Sequence, residues 1–363
     1  MNRNYLTVLS VVLGLTVAST HAFAGSQDAS DLKTNKHEKG SFSATNDGVQ
    51  SFTGFVDLPY DLTNTPLLAM GQGAVTAKDA IVEENKEEMT AAEVGELMAN
   101  PFSYLWFAMI QNETAWWNGD LLDATNEGTK VMNTTVFQPV MSMQLTEEWK
   151  AIFRPVIPIQ SFDTIRGFDI IEDEADSSLI ITDWDRKTGL GDIVLWTAFT
   201  NNYKPPFVWG FGPTIMMDTA SDETLGTGKW SAGPMALATY ITDKWIVGGV
   251  AQHWWSFAGD SDRDSVNLTD FQPIIRYRLS PQTNIGLAPN IQYNWGADSG
   301  EKLRLPLGGG ISTVVMLGRL PVAIGLEYYY YVETPDIVGP EHMLRFVFTP
   351  VLPSPEWSRT PLF

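Results

Sequence analysis

Beyond Pro101 the chain alternates between apolar and polar positions with a period of two. In Ile285-Gly-Leu-Ala-Pro-Asn-Ile-Gln-Tyr-Asn-Trp295, one parity carries Ile285, Leu287, Ile291, Tyr293 and Trp295, and the other Gly286, Ala288, Asn290, Gln292 and Asn294. That period places successive side chains on opposite faces of a strand, with one face apolar and the other polar. The same test sets Val322, Ile324, Leu326, Tyr328 and Tyr330 against Glu327 and Tyr329, and Trp149, Phe153 and Ile157 against Lys150 and Arg154. Twelve such segments begin near Tyr104, Val131, Trp149, Asp192, Phe207, Lys229, Trp245, Leu268, Asn284, Leu303, Pro321 and Met343.

Their connections alternate in length. Thr146 to Glu148, Thr242 to Lys244, Ser280 to Gln282 and Gly318-Arg319 are tight turns. Asn118 to Thr129, Gln160 to Leu190, Asp218 to Gly228, Ala258 to Asn267, Gly296 to Lys302 and Glu333 to Glu341 are longer. Short turns at one end, long loops at the other and Trp near strand ends predict an all-β fold: a closed antiparallel transmembrane β-barrel of about twelve strands over residues 101–352. Closure follows from the solvent, because lipid offers nothing to the unpaired backbone of an open sheet edge. Two features disturb the pattern. Trp245 to Phe257 is mixed, one register turning His253 to lipid and the other Gln252. Prolines 139, 155, 213, 234, 273, 289, 306 and 350 fall inside strands, where a closed barrel has no edge to host them, so bulges are expected. Gly308 to Gly310 marks a bulge or a close backbone approach.

Ahead of the barrel the composition changes twice. Residues 1–24 hold a basic Arg3, an apolar stretch from Leu6 to Ala18 and Ala22-Phe-Ala24 before Gly25, the arrangement of a cleaved secretory signal peptide. Residues 25–75 are mostly Ser-, Asp-, Asn- and Gly-rich and read as a flexible linker. In residues 76–100, Ala, Glu, Met and Leu dominate and Thr90-Ala-Ala-Glu93 fits a capping box. This helical segment stops at Asn100-Pro101 and serves either as a plug in the lumen or as a periplasmic arm. Residues 353–363, broken by Pro353, Pro355 and Pro361, form a C-terminal tail.

Composition narrows the functions. A 44% hydrophobic chain with 12% aromatic residues is not disordered. Its mean hydropathy near zero suits a barrel with a polar interior. Losing residues 1–24 with their single Arg moves the formal charge from −20 to −21, which excludes nucleic acid as a partner. With 0 Cys there is no disulfide, thiol nucleophile or thiolate metal site. His253 and Ser256 lie three apart on one strand and so face opposite ways, leaving no nucleophile and base pair. No enzyme, cofactor or metal site is read. Asp260-Ser-Asp-Arg-Asp264 lacks the Gly and the bidentate Glu of a calcium loop.

Gly189-Leu-Gly-Asp192, Leu225-Gly-Thr-Gly-Lys-Trp-Ser-Ala-Gly-Pro234, Trp255-Ser-Phe-Ala-Gly-Asp-Ser-Asp-Arg-Asp264 and Pro306-Leu-Gly-Gly-Gly310 resemble the neuromedin-U-like outer-membrane proteins. That family is also filed as putative components of a MetA pathway of phenol degradation. In plan it is similar to FadL-like outer-membrane channels for hydrophobic compounds. The resemblance spans about Asn100 to Pro350 and implies a barrel in the outer membrane; it leaves the substrate open.

Parity turns Lys150, Arg154, Asp192, Arg276, Arg278, Glu327 and Arg345 inward. Two expectations follow. These groups line a permeant path and select by charge, or they pair with one another, Glu327 with Arg345 first, and seal the lumen. The first belongs to a passive channel for small hydrophobic or aromatic molecules, with outer-membrane lipid around it. The second belongs to a non-transporting barrel with a structural, adhesion or surface-binding role. No pattern speaks to oligomeric state.

Overall fold

The computed structural model describes residues 90–98, 103–124, 128–173, 176–202 and 206–363, side chains excepted at 124 and 165–183. Signal peptide and linker lie outside these residues. The described elements are α1 (Ala91–Met98), β1 (Trp106–Asn118), α2 (Asp120–Ala124), β2 (Lys130–Gln144), β3 (Trp149–Asp173), β4 (Asp176–Leu190), β5 (Ile193–Asn201), β6 (Phe207–Met217) and β7 (Lys229–Ile241). They continue as β8 (Trp245–Gly259), β9 (Asn267–Arg278), β10 (Thr283–Leu287), β11 (Ile291–Asn294), β12 (Leu303–Leu317), β13 (Leu320–Glu333), β14 (Gly339–Leu352) and α3 (Glu356–Arg359).

All strands belong to one antiparallel sheet, and pairing of β1 with β14 and of β12 with β13 brings it round on itself. β10 and β11 are two halves of one wall strand lying between β9 and β12, and β4 pairs only with β3. The wall is therefore a closed antiparallel barrel of twelve strands. Burial alternates along it as the sequence parity requires: β1 reads intermediate then buried over its whole length. Trp245, Val247, Ala251 and Trp255 are exposed while Ile246, Val250, Gln252 and Trp254 are buried, so β8 turns Gln252 inward and His253 outward.

Outward-facing Trp245 and Trp255 mark two aromatic levels ten residues apart. At about 3.3 Å per residue and a tilt of about 40°, they bound an apolar band about 25 Å tall, the thickness a barrel presents to lipid. Phe211, Ile215, Ile275, Ile311 and Leu326 are among the exposed apolar side chains of the outer face. Val322, on the same parity as Leu326, is instead buried, and strand alternation does not account for it.

The expected outer loop from Gln160 to Leu190 is corrected. β3 and β4 continue as a paired hairpin from Ile159↔Leu190 to Asp173↔Asp176, extending beyond the part of β3 that pairs β5. Phe168-Asp-Ile-Ile171 and Leu179-Ile-Ile181 supply β-branched residues, which favour extended backbone despite the acidic neighbours that made the stretch look like a loop. Of the expected proline bulges, a register shift occurs at Leu305/Pro306, and Pro289 lies in the gap between β10 and β11. Pro273 and Pro350 sit in continuous register, as a proline can when its nitrogen faces away from a ladder bond. At the β12–β13 turn, Gly318 adopts φ 65°, which a two-residue hairpin requires.

Candidate functional site

The lumen is built in layers, starting at the short-turn end. α1 begins with a reciprocal cap: the Thr90 backbone N–H donates to Glu93 Oε2 at 2.7 Å, and the Glu93 N–H donates to Thr90 Oγ1 at 3.3 Å. The Thr90 backbone N–H and then its hydroxyl, both donating to Glu93 Oε2, hold that carboxyl below its ordinary pKa. Gly95 lets α1 approach the β9–β10 turn; a Cβ there would meet the Pro281 carbonyl oxygen at 2.7 Å. Val94 and Met98 then join a buried apolar cluster that includes Phe107, Ile152, Val208, Ile246, Ile274 and Val314. α3 lies over the outside of this end, the Trp357 ring edge-on to Trp106 with centroids 5.7 Å apart.

Elsewhere in the lumen lies a charge layer. Arg345, fully buried on β14, donates from Nε to Glu113 Oε1 at 2.5 Å and from Nη1 to Glu327 Oε2 at 3.2 Å. Arg276 pairs with the other oxygen of Glu327, and Tyr329 donates its hydroxyl to Glu327 at 2.8 Å. The register explains the meeting: Glu113 faces Arg345, which faces Glu327, across three neighbouring strands. Cross-strand opposite charges on one face are within side-chain reach. The enclosed site makes their mutual pairing the alternative to a large desolvation cost.

Where the wall breaks, these side chains replace the ladder. Ala288 lies in the gap between β10 and β11, and its N–H donates to the Tyr329 hydroxyl at 3.2 Å. Its carbonyl accepts from Arg345 Nη1 and from Gln272 Nε2, each at 3.1 Å. A second clamp crosses β2 and β3, whose pairing lapses between Phe137↔Ile157 and Met141↔Phe153, around Pro139 and Pro155. There Arg154 donates from both Nε and Nη2 to Gln138 Oε1, at 3.0 and 2.5 Å, and lies over the Trp196 ring. Prolines remove backbone donors, and inward polar side chains restore the connection between strands.

Past the charge layer, Glu113, Trp117, Thr134, Arg304, Tyr331 and Met343 help line a cavity of about 20 Å³, enough for a water molecule or so. At the long-loop end, side chains tie the loops together. Buried Asp192 accepts from the backbone N–H groups of Thr219, Ala220 and Thr227 at 3.1, 3.2 and 2.7 Å. Arg263 donates to the carbonyls of Glu223 and Gly226 at 3.0 and 2.8 Å, tying two long loops together.

Of the seven residues singled out by parity, Arg276, Glu327 and Arg345 meet in the charge layer. Among the described residues, Arg154 stands in its own clamp without a carboxylate in contact, and Lys150 makes no ion pair. Arg278, two residues from Arg276, lies at the short-turn end near Glu96 of α1. Asp192 is committed to the loops. Sequence reasoning missed Glu113. Its parity partners Phe107, Met109 and Trp117 look lipid-facing, while its outward neighbours Asn112 and Thr114 are polar and join Asn133 and Thr135 in hydrogen bonds on the outer wall. Gln138 was missed because Met132, Val136 and Val140 share its inward parity and Pro139 beside it interrupts the strand pattern.

No family model matches the sequence, and no curated protein does. Among solved structures, the chain is similar to an outer membrane channel from Pseudomonas putida F1, at 15% identity over 68% of this chain and 95% of that one, TM-score 0.47. It is also similar to the Ralstonia pickettii toluene transporter TbuX, at 9% identity over 78% and 96%, TM-score 0.38. A Pseudomonas aeruginosa FadL homologue matches at 9% over 73% and 94%, TM-score 0.35. No residue role is carried across these likenesses.

Proposed function

We propose that this chain is an outer-membrane channel for the passive uptake of small hydrophobic, including aromatic, compounds, and that α1 closes it. One observation carries the reading. α1, a segment that belongs to no wall strand, sits at the short-turn end of the lumen, and its buried Val94 and Met98 join apolar inward side chains. Withdrawing α1 would uncover a lumen lined by Phe107, Ile152, Ile246 and Ile274, a surface suited to poorly water-soluble molecules. The motif resemblance to neuromedin-U-like and MetA-pathway proteins points the same way, and the N-terminal signal supplies the route to the outer membrane. In this reading Lys150, Arg154, Arg276, Arg278, Glu327 and Arg345 border the path, with Asp192 at its outer rim.

A second reading has its own support. Glu113 and Glu327 are both engaged by guanidinium groups and a cavity of only about 20 Å³ lies beside them, which favours a packed barrel with a structural or surface-binding role. Planar-bilayer conductance of the mature chain, with and without residues 25–100, separates the two. Discrete openings that enlarge on deletion support the channel. Silence from both, together with no uptake of a labelled small aromatic by vesicles carrying the protein, leaves the packed barrel.

A further inference from the structure

We propose that Arg276 and Arg278 form a binding site for a small oxyanion on the inner wall beside α1. The inference does not rest on the channel reading. The two arginines are two residues apart on β9 and so share the inward face, Arg278 at the short-turn end and Arg276 one step further in, toward the charge layer. Both are buried, at 0% and 3% exposure. Arg276 spends Nη2 on Glu327, and its Nε and Nη1 are buried with no partner. Among the described residues Arg278 reaches only the Asp243 carbonyl, at 3.5 Å, and its Nε and Nη2 are buried with no partner. Two adjacent desolvated guanidinium groups therefore present four nitrogens without an acceptor.

Nearby protein groups do not supply one. Glu327 is already shared by Arg276, Arg345 and Tyr329. The carboxylates of Glu96 on α1 and of Asp243 are close enough to interact electrostatically with Arg278, yet its Nε and Nη2 still have no hydrogen-bond acceptor. Across the strand, Asn284 is in register with Arg278. Its carbonyl accepts from Ser312 Oγ at 3.1 Å, so its amide nitrogen remains as a further donor. The apolar neighbours Val94, Ile246 and Ile274 offer no acceptor. A buried guanidinium demands a counter-charge and acceptors together, and its planar fork matches the oxygens of a carboxylate, sulfate or phosphate. Glu96 holds a negative charge at the entrance, so an anion entering the site competes with it.

The test uses the full mature chain in neutral detergent. Its thermal midpoint is followed as chloride is exchanged, at fixed pH and ionic strength, for acetate, sulfate or inorganic phosphate. A saturable rise of several degrees with at least one oxyanion is expected, and which one raises it distinguishes a carboxylate from a phosphate-type site. Arg278→Gln should remove most of the rise. Glu96→Gln, at a partly buried position on α1 that leaves the wall intact, should lower the half-saturating concentration several-fold. Equal midpoints in all salts, a rise that survives in Arg278→Gln, or a half-saturation unmoved by Glu96→Gln would each overturn the site.

Discussion

The two kinds of closure in this lumen differ in what holds them. At the short-turn end, α1 is seated by apolar contacts and by the fit of Gly95 against the Pro281 carbonyl, and every one of those contacts belongs to a segment outside the wall. In the charge layer, closure comes from Glu113, Arg276, Glu327, Tyr329 and Arg345, all rooted in wall strands and also holding the break at Ala288. A plug made of dispersion and hydrophobic contact can leave as a unit, whereas a charge layer cannot open without stranding ions in a poorly solvated interior. The first closure suits a gate, the second a wall that must stay shut around its own defect.

The largest effect that would break this comparison is expected from Arg345→Met. Removing the guanidinium shared by two buried carboxylates should destabilise the barrel by about 3–5 kcal/mol. Adding Glu113→Gln should return a large part of that loss. Urea unfolding in detergent micelles reads both, and an unchanged midpoint in the single variant would mean the layer is solvated and not a seal.

Gly95→Val sharpens the other side. Its side chain would drive α1 off the β9–β10 backbone, which cannot give way, at a cost of about 1–3 kcal/mol. Conductance should rise several-fold while the wall keeps its strand content by circular dichroism. A smaller effect is expected from Tyr329→Phe. It leaves the Ala288 N–H without its acceptor, costing about 1–2 kcal/mol, and amide exchange should quicken at Ala288 while remaining slow at Ile246. Were exchange at Ala288 unaltered, the hydroxyl would not be what closes the break.

The smallest effect lies outside both closures, in the loop from Asp218 to Gly228. Asp222 is held below its ordinary pKa, first by the Thr224 hydroxyl and then by the Thr224 backbone N–H. A depressed carboxyl contributes stability that is fully present above its unfolded value of about 4 and is lost as the pH falls through the lower folded value. Amide protection in the loop should therefore be flat above about pH 4 and decline below it. Asp222→Asn should flatten that decline, and a decline of equal size in the variant would assign it to another group.

How much of the site could be read in advance depended on the face opposite each residue. Glu327 and Arg345 were legible because Leu326, Tyr328 and Leu344 beside them are plainly lipid-facing. Glu113 and Gln138 were not, because their inward parity also carries Phe107, Met109 and Trp117 in β1 and Met132, Val136 and Val140 in β2, while Asn112, Thr114, Asn133 and Thr135 face outward, which blurs the contrast that parity depends on. Asp192 was assigned its inward face by parity, yet its partners come from a loop about 30 residues later, a meeting no local pattern encodes.

The sequence by itself determined the strand class, the alternation of short and long connections and the lipid face of most strands, since these follow from a two-residue period and turn chemistry acting over a few residues. It also carried the cap of α1, a bond pattern between Thr90 and Glu93. Only the tertiary structure decided that β3 and β4 run on as a hairpin, that the strand breaks at Ala288, and that Arg345 stands between two carboxylates. Those outcomes depend on register around a closed sheet, where residues from both ends of the barrel meet because β1 must pair with β14 to leave no edge.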